Sequence, residues 1–563
     1  MFPESTQADW RKAAEAALKG SAFESLVSQT ADGLKLGPLH ARADGPRAMR
    51  GAPGPWKVLA RVDHPSADDF HAAAHEDLDN GAQGLTIVFA GAGAAYGFGL
   101  AGPVAKALDG VDFGAGRFVL EIATPANAEA FADVVARPEA ADVSFGLDPL
   151  GARARGASPY PLDVVAKLRA RGFTGPFVAA DARVVHDAGG TPALELAFAL
   201  GAGVAYLREL QDPAALEFRL AADADVFATL AKFRAMRRLW RRVEEASGLT
   251  PLPIRLAASS AWRMMTRAEP YVNVMRAATA AFAAGLGGAD SVTLLPFTQA
   301  LGLPDAFARR LARNTQLIEL HEARLGFVSD PAAGAGGFEA LTQGLCEKAW
   351  ALFQSFEAAG GLAAALDKGL VQSAASSAAS VLKRDVARGK SLLTGVNAHP
   401  SLEAEPVGVL PDAPSPAPTG GLAAFRLSEP FERLRERAKA TVFLAAIGPL
   451  AAHQRRVGFA REAFEAGGVE TVAGMGASDA AALAAEFRAS GAQSACLCGT
   501  DEAYADHASS FAAALKAAGA RAIYLAGRPD AREAQGAAAG IDGYVYAGVD
   551  LVAALSAFLD KTG

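Results

Sequence analysis

Short apolar segments alternate with longer amphipathic segments from about Pro55 to Asn397, and this alternation is what most constrains the fold. The apolar segments predict strands at Leu85–Phe89, Phe118–Ile122, Val143–Gly146, Phe177–Ala180, Val204–Leu207, Ile254–Ala257 and Val292–Phe297. The amphipathic segments predict helices at Phe70–Asn80, Asn127–Ala136, Leu162–Arg171, Leu194–Leu200, Asp225–Glu244, Val272–Ala284 and Asp305–Glu322. Strands that are apolar on both faces are typical of a parallel sheet covered by helices. Seven or eight such units favour a TIM-type (β/α)8 barrel, which we assign to residues 41–398.

A second, smaller alternation follows a segment rich in Pro, Ser, Ala and Gly. This segment contains PVGVLPDAPSPAPTGG within Pro400–Ser428 and predicts an extended linker at residues 399–438, with a short charged helix at Glu429–Lys439. Strands are then predicted at Thr441–Ile447, Gln493–Leu497, Ala522–Leu525 and Gly543–Tyr546. Helices are predicted at Gln454–Ala466, Ser478–Arg488, Ala503–Ala518 and Val549–Leu559. Residues 439–563 are therefore predicted to form a flavodoxin-like, doubly wound domain.

Residues 1–40 precede the barrel and are predicted to form a helical arm. Its apolar residues fall at helical spacing or extend the same face: Trp10, Ala13, Ala17, Leu18, Phe23, Leu26 and Val27. The arm has little core of its own, so we expect it to dock onto or wrap around a partner chain.

Composition excludes several classes of protein. The chain has 563 residues, a formal net charge of −7 and 51% hydrophobic residues, which indicates more than one domain and a large core. The acidic balance argues against a nucleic-acid binder. The three cysteines are too few for a disulfide framework, and the first helix is too polar for a signal peptide. With no apolar stretch long enough to span a bilayer, we expect a cytoplasmic protein that binds no membrane.

Two glycine-containing segments resemble phosphate-binding motifs, and both are better explained as loops. The segment GAGAAYGFG at Gly91–Gly99 has Tyr96 where the dinucleotide fingerprint needs its third glycine, so it indicates a glycine-rich loop that leaves a barrel strand. The segment ARGKS at Ala387–Ser391 follows helical residues and has Arg384 where the first P-loop glycine should stand. We interpret it as a solvated basic turn.

Two further pairs of residues invite a metal or redox interpretation. His71 and His75 are four residues apart, a spacing that can hold a metal, but their polar surroundings favour a solvated helix face. Cys496 and Cys498 lie on one face of a predicted strand, where buried thiols are a better interpretation than a redox pair.

Several segments in a fixed order resemble the methylmalonyl-CoA mutase family. They are Pro55-Trp56, HDAGGTPALELAFAL at His186–Leu200, EPYVNV at Glu269–Val274, ARNTQL at Ala312–Leu317 and DPAAGAGG at Asp330–Gly337, the last three within the long matching segment Arg263–Thr342. The resemblance covers nearly the whole chain and implies the same order of barrel, linker and doubly wound domain.

The resemblance implies a radical rearrangement that converts (R)-methylmalonyl-CoA to succinyl-CoA with adenosylcobalamin. In this family the CoA chain passes along the barrel axis. Cobalamin lies between the barrel mouth and the C-terminal domain, where a histidine of that domain ligates the cobalt. The cofactor supplies the difficult chemistry, and the protein supplies binding, placement and exclusion of water.

The two aligned positions in the barrel depart from the catalytic pattern. Arg61 stands where catalytic chains carry the tyrosine of a TIRQYAG-like stretch, which lies over the substrate. Val184 stands where an SGYH-like stretch supplies a histidine that hydrogen-bonds the thioester carbonyl. Because valine cannot donate that bond, polarisation of the carbonyl in the transition state is lost.

The cobalamin signature Asp-x-His-x-x-Gly is also incomplete. It aligns with Ala451–Arg456, where His453 remains but Ala451 replaces the Asp and Arg456 replaces the Gly. The Asp orients the ligating histidine, and losing such a partner lowers metal affinity roughly 10–100-fold. We therefore expect His453 to be a relic or a solvated loop histidine. The residues aligned with the slot for the nucleotide tail are also altered, at about Cys498–Thr500 and Ala526-Gly527.

A preserved scaffold with lost chemistry resembles the small (β) subunit of bacterial heterodimeric members of the family. The segment DPLGA at Asp148–Ala152 shares that small-subunit pattern. We expect this chain to contribute no catalytic, cofactor-binding or metal-ligating residue. Adenosylcobalamin is expected on a homologous catalytic large (α) subunit, with which the chain forms a heterodimer. Two alternatives stay open: an independently active acyl-CoA mutase with a rebuilt site, and a CoA-thioester-binding module that uses the barrel.

Overall fold

The structure is a computed structural model that describes residues 6–44, 50, 54–403, 406–410, 420–529 and 540–562. The described residues fall into two compact units. The first lies within Met1–Trp262, Val274–Ala378 and Leu410–Ala424, and the second within Arg263–Asn273, Ala379–Val409 and Phe425–Gly563. The domain boundaries predicted at residues 41, 399 and 439 stay predictions. Part of the predicted linker, at residues 404–405 and 411–419, lies outside the described residues.

The N-terminal arm starts with helix α1 (Gln7–Ala17), which a capping box at Thr6 and Asp9 begins. A 3-10 turn at Phe23–Leu26 and a short hairpin of β1 (Ser28–Gln29) and β2 (Lys35–Leu36) follow. No residue of α1 is buried, whereas the hairpin turn reaches the barrel, where Asp32 accepts a hydrogen bond of 3.2 Å from the Ala193 amide. The helix is therefore the part of the arm that packs least on its own chain.

Eight parallel strands of the first unit form the barrel. They are β3 (Lys57–Val62), β4 (Gly84–Val88), β5 (Arg117–Glu121), β6 (Asp142–Ser144), β7 (Val178–Asp181), β8 (Leu216–Ala222), β9 (Arg255–Ser260) and β10 (Ser291–Thr293). Their order is β6-β5-β4-β3-β10-β9-β8-β7. A parallel bridge between Leu147 and Val178 joins the two ends of this order, so the sheet closes nearly completely. The predicted TIM-type barrel is confirmed.

The helices between residues 67 and 387 cover the barrel and extend beyond it. They are α2 (Ala67–Asp79), α3 (Val104–Ala107), α4 (Pro125–Ala132), α5 (Pro149–Ala154), α6 (Val164–Ala170), α7 (Arg183–Asp187), α8 (Pro192–Leu210), α9 (Val226–Ala246), α10 (Val272–Leu286), α11 (Ala306–His321), α12 (Gly336–Ala358), α13 (Leu362–Asp367) and α14 (Leu370–Ala387). Several begin where sequence rules expect, as at α8, where Thr191 caps the helix and Pro192 opens its first turn.

The strand predicted at Val204–Leu207 is wrong, because these residues form the last part of α8. A short apolar run cannot distinguish a strand from a helix that is buried on most sides. The missing barrel strands are β3 and β8, which the apolar runs did not reveal. Both contain buried charged residues, Arg61 in β3 and Glu217 and Arg219 in β8, which interrupt the apolar pattern.

The second unit contains a parallel sheet of β11 (Thr441–Ala446), β12 (Glu470–Ala473), β13 (Ser494–Cys498), β14 (Ile523–Ala526) and β15 (Gly543–Val545). Their order is β12-β11-β13-β14-β15, which is the 2-1-3-4-5 order of flavodoxin-like domains. Its helices are α15 (Glu429–Arg437), α16 (Leu450–Ala466), α17 (Ala480–Ser490), α18 (Asp501–Ala517) and α19 (Leu551–Thr562). The predicted doubly wound fold is confirmed, and β12, an exposed edge strand, is the strand that the sequence pattern missed.

Across the part of the chain that the structure describes, no helix is both long enough and apolar enough to cross a bilayer.

Pro55-Trp56, one of the segments that carry the family resemblance, has a packing role. The indole of Trp56 is buried and donates a hydrogen bond of 3.1 Å to Gln316 Oε1 of α11. It lies against Gly285 of α10, where an added Cβ would approach the ring to 2.4 Å. The contact therefore requires glycine at position 285, although glycine is unfavourable inside a helix.

We predict that Gly285→Ala destabilises the protein while Gly458→Ala stabilises it. At position 285 the new methyl group meets the Trp56 ring, and overpacking of this kind costs about 1–3 kcal/mol. At position 458, in α16, no atom lies within 4 Å of an added Cβ, so the higher helix propensity of alanine should contribute about 0.5–1 kcal/mol. Urea unfolding of both variants measures the change in the free energy of unfolding. Changes of the same sign in the two variants would contradict the packing role of Trp56.

Candidate functional site

The carboxyl end of the barrel, where barrel enzymes place their active sites, is occupied here by Arg61 and its partners. Arg61 lies at the end of β3 and is 4% exposed. Its Nε lies 2.8 Å from Asp63 Oδ2, and its terminal nitrogen donates to the Ala95 carbonyl at 3.1 Å. Gln299 donates to the same Asp63 oxygen at 3.0 Å. The guanidinium group is thus held by buried acceptors of its own chain, at the position that the family resemblance aligns with the catalytic tyrosine.

Two aromatic rings cover the mouth of the barrel beside Arg61. Tyr96, from the glycine-rich loop after β4, stacks on Trp262 with ring centroids 4.5 Å apart and planes 8° apart. The Tyr96 hydroxyl donates to Asp187 Oδ2 at 2.9 Å, and the Arg61 guanidinium carbon lies 5.5 Å from the Tyr96 ring. Burial, with the Asp187 carboxylate as second cause, raises the pKa of Tyr96 far above its ordinary value. Neither aromatic residue was among the sequence candidates, although Tyr96 follows a strand end in a glycine-rich segment.

The stretch aligned with the catalytic SGYH segment carries an ion-pair cluster. The Arg183 guanidinium contacts Asp181, with a shortest distance of 2.6 Å, and Glu121 at 2.7 Å. Burial alone would raise the pKa of Asp181, but the Arg183 guanidinium outweighs it and holds that pKa well below its ordinary range. Val184, the residue aligned with the catalytic histidine, is buried in α7 and offers no side-chain hydrogen-bond donor.

Below this cluster, a second one fills the interior of the barrel. Glu217 of β8 contacts both Arg117 and Arg219, and it accepts a hydrogen bond of 2.8 Å from Ser144. Burial acts to raise the pKa of Glu217, but the two guanidinium groups overcome this and lower it. A cavity between the clusters, bordered by Glu121, Arg183 and Arg219, has a volume of about 10 Å³. That volume accommodates roughly one water molecule and not a pantetheine chain.

The segment DPLGA forms the first turn of α5 and is fixed by Tyr206. Asp148 Oδ1 accepts hydrogen bonds from the Tyr206 hydroxyl and from the Gly151 amide, the latter at 3.0 Å. Asp148 Oδ2 has no hydrogen-bond partner among the described residues. Burial, with the Asp181 carboxylate as second cause, raises the pKa of Asp148 to about 6. This segment is a buried helix cap.

Of the two expectations for His453, a relic or a solvated loop histidine, the second is wrong. It lies in the first turn of α16, is 3% exposed, and its Nδ1 is 3.0 Å from the Gly448 carbonyl oxygen. The helix begins earlier than predicted, at Leu450, and this turns the imidazole towards the sheet, against Gly476. Ala451 is exposed and cannot orient the ring, so the histidine is a core residue held by a backbone carbonyl.

The Tyr504 side chain bridges the two loops that the family resemblance places at the nucleotide-tail slot of cobalamin. The Tyr504 hydroxyl accepts a hydrogen bond of 2.9 Å from the Gly499 amide and lies 2.8 Å from the Ala526 carbonyl oxygen. Arg456 donates to the same carbonyl and to Asp501, and its guanidinium carbon is 5.4 Å from the Tyr504 ring. Side chains occupy the space between the loops, so the residues present do not fit the tail of cobalamin.

The two remaining candidate pairs, His71 with His75 and Cys496 with Cys498, lie in different surroundings. The rings of His71 and His75 are 4.4 Å apart, and His75 Nε2 lies 2.8 Å from the Asp109 carbonyl oxygen. Within the described ranges, no three His, Cys, Asp or Glu side chains come together in a way that could hold a metal ion. Cys496 and Cys498 are fully buried in the same hydrophobic cluster, and burial raises the pKa of Cys496 far above its ordinary value.

The sequence of this chain is similar to those of several known proteins. A family model described as methylmalonyl-CoA mutase matches residues 177–453. The methylmalonyl-CoA mutase small subunit of Streptomyces virginiae is 40% identical, over 100% of this chain and 97% of that protein. The small subunit of Propionibacterium freudenreichii subsp. shermanii is 32% identical, over 100% of this chain and 96% of its own length. The methylmalonyl-CoA mutase of Rhizobium meliloti (strain 1021) is 36% identical, but over 40% of this chain and 33% of that protein.

We predict that Asp148→Asn flattens part of the pH dependence of stability. The pKa of Asp148 is about 6 in the folded chain against an ordinary value of 3.8, so the folded state holds this proton more tightly than the unfolded state. The group therefore costs no stability below about pH 4, and its cost grows to roughly 3 kcal/mol as the pH rises through 6. Relative to the wild type, the free energy of unfolding of Asp148→Asn should increase from pH 4 to pH 7.

Urea unfolding across that pH range measures the difference, with Gln7→Asn on exposed α1 as the control that should show none, because neither amide side chain titrates. The same pH slope in Asp148→Asn and in the wild type would contradict the assignment.

Proposed function

Because the chain belongs to the methylmalonyl-CoA mutase family, we propose that it is the small, non-catalytic subunit of an adenosylcobalamin-dependent methylmalonyl-CoA mutase. In this role it supports a homologous large subunit that interconverts (R)-methylmalonyl-CoA and succinyl-CoA. The extent of the similarities supports the proposal. Two relatives named small subunit align over the whole chain, whereas the mutase of Rhizobium meliloti aligns over 40% of it.

The observation that carries the proposal is the filled axis of the barrel. In the family the CoA chain passes along this axis, and here paired arginine and carboxylate side chains leave room for about one water molecule. Opening a path would separate buried ion pairs, and breaking one such pair by removing a partner costs about 3–5 kcal/mol. The same observation counts against both alternatives, an independently active mutase and a CoA-thioester-binding module, since each needs the axis.

We propose that adenosylcobalamin of the holoenzyme is bound by the large subunit. In this chain His453 is directed at a backbone carbonyl, and Arg456 and Tyr504 occupy the space between the loops that would take the nucleotide tail. Three separate changes would be needed to accommodate the cofactor here. The conservation of the scaffold without the site is consistent with a role in supporting a partner.

We also propose that the chain is cytoplasmic and forms a heterodimer to which the arm contributes. The three cysteines are free, as expected in a reducing compartment. Helix α1 buries no residue in its own chain, although Trp10 and Phe23 contact each other at 6.1 Å between ring centroids. An amphipathic helix with a tryptophan and no core is suited to pack against a second subunit.

We predict that the purified chain alone neither binds adenosylcobalamin nor converts methylmalonyl-CoA, while the co-expressed complex with the large subunit does both. The physical reason is the closed tail slot and the filled barrel axis of this chain. Absorbance spectra after gel filtration give the cobalamin content, and a coupled assay gives turnover. One cobalamin per isolated chain would overturn the proposal.

The complex allows a matched pair of substitutions. His453→Ala in this chain should leave cobalamin content and turnover unchanged, because His453 contacts the Gly448 carbonyl. The same substitution at the signature histidine of the large subunit should remove ligation through that residue. A halved cobalamin content with His453→Ala alone would mean that this chain holds a second cofactor site.

We predict that deletion of residues 1–20 weakens the heterodimer at least about tenfold and leaves the stability of the isolated chain unchanged. The deletion removes α1 with Trp10 but keeps Asp32, which caps α8. An aromatic anchor at an interface contributes about 2 kcal/mol or more, whereas α1 has no buried residue in the isolated chain. Analytical ultracentrifugation gives the affinity and urea unfolding the stability. An unchanged affinity would exclude the arm from the interface.

A further inference from the structure

A cavity of about 280 Å³ opens at the amino ends of strands β8 and β9, on the opposite side of the barrel from the mouth. It lies outside the barrel wall, since Phe218 alternates along β8 with the inward-facing Glu217 and Arg219. Its volume is close to the lower end of the range for small-molecule sites. Its apolar wall is formed by Leu216, Phe218 and Trp240, and its polar groups belong to Thr174, Glu244 and Arg255.

Glu244 is the unusual residue of this cavity. Six glutamates are buried among the described residues, and five of them contact an arginine or lysine side chain within 2.9 Å: Glu121, Glu195, Glu217, Glu339 and Glu432. Glu244, which is 1% exposed, forms no ion pair in the described part of the chain. Its carboxylate accepts a hydrogen bond of 3.3 Å from the Leu252 amide and one from the Trp240 side chain.

A buried carboxylate without a cation is unfavourable, and burial raises the pKa of Glu244 above its ordinary value. Arg255 at the rim does not neutralise it, because its guanidinium contacts Asp142 at 2.6 Å. The cavity therefore combines an acidic group that lacks a cation with an empty space beside it.

The aromatic wall of the cavity, like the unpaired carboxylate, favours a cationic ligand. Phe218 and Trp240 are in contact, with centroids 4.7 Å apart and planes at 56°. Gly203 of α8 allows this packing, because a Cβ there would lie 2.8 Å from both rings. Aromatic faces attract cations, and they also pack against apolar groups of ligands.

We propose that this cavity binds a small organic cation, with a primary ammonium group at Glu244 and an apolar body about the size of a phenyl ring against Trp240 and Phe218. The site is independent of the proposed function, because it shares no residue with the barrel axis, the mouth or the C-terminal unit. Binding there would supply a cation to the one buried glutamate that forms no ion pair within the described residues.

Phenethylamine and 2-phenylethanol are matched probes, since they differ mainly in the ammonium group. Titration calorimetry of the full chain should show one site for phenethylamine, with an affinity at least about tenfold higher than that for the alcohol. Glu244→Gln keeps an acceptor for the Leu252 amide and removes the charge, so the preference for the amine should disappear. Intrinsic fluorescence should change on binding in the wild type, and that change should be lost in Trp240→Phe.

A second variant tests the location without altering the core. Thr174 is exposed at the rim, so Thr174→Phe should block entry and reduce phenethylamine binding at least about tenfold. Equal affinity for the amine and the alcohol would reduce the feature to an apolar cavity and overturn the proposal. Amine binding that survives both Glu244→Gln and Thr174→Phe would place the ligand elsewhere, and absence of binding to the wild type would also overturn it.

Discussion

Pairing of buried guanidinium and carboxylate groups inside the barrel is the interaction on which the rest of the first unit depends. Three arginines, Arg117, Arg183 and Arg219, meet three carboxylates, Glu121, Asp181 and Glu217, so the charges balance inside the sheet. Removing an ion from water costs several kcal/mol unless a partner compensates it. The barrel can keep charged residues on its inner face because each has that partner. The same pairing leaves room for roughly one water molecule between the clusters.

The sequence predicted the fold well where physical rules act locally. Alternating apolar and amphipathic runs located six of the eight barrel strands to within a few residues, and glycine, proline and capping residues set many helix ends. Strands β3 and β8 escaped because charged residues that pair across the barrel are polar in the sequence yet buried in the structure. The strand predicted at Val204–Leu207 failed for the opposite reason, since a helix buried on most sides has no polar stripe. Both errors come from tertiary contacts that no short window of sequence contains.

The candidate positions could be named from the resemblance, but what fills them could not. Arg61, Val184 and Arg456 were identifiable as departures from a catalytic pattern. Partners of these residues come partly from distant segments: the Ala95 carbonyl binds Arg61, Gln299 binds the Asp63 carboxylate that pairs with Arg61, and Asp501 pairs with Arg456. The Tyr96–Trp262 stack joins residues 166 positions apart in the sequence. The solvated-loop interpretation of His453 failed because the start of α16 was placed four residues too late, and a helix start decides which way a side chain points.

The balance of charges along the axis also bears on how this chain can change over evolutionary time. Replacement of Arg61 alone would leave Asp63 buried without its cation, and a change at Arg183 would do the same to Asp181 and Glu121. Substitutions within one network are strongly non-additive, so each single replacement is destabilising until several have been made together. The ion pairs therefore act as a ratchet, because the residues of this network can change as a group more readily than one at a time.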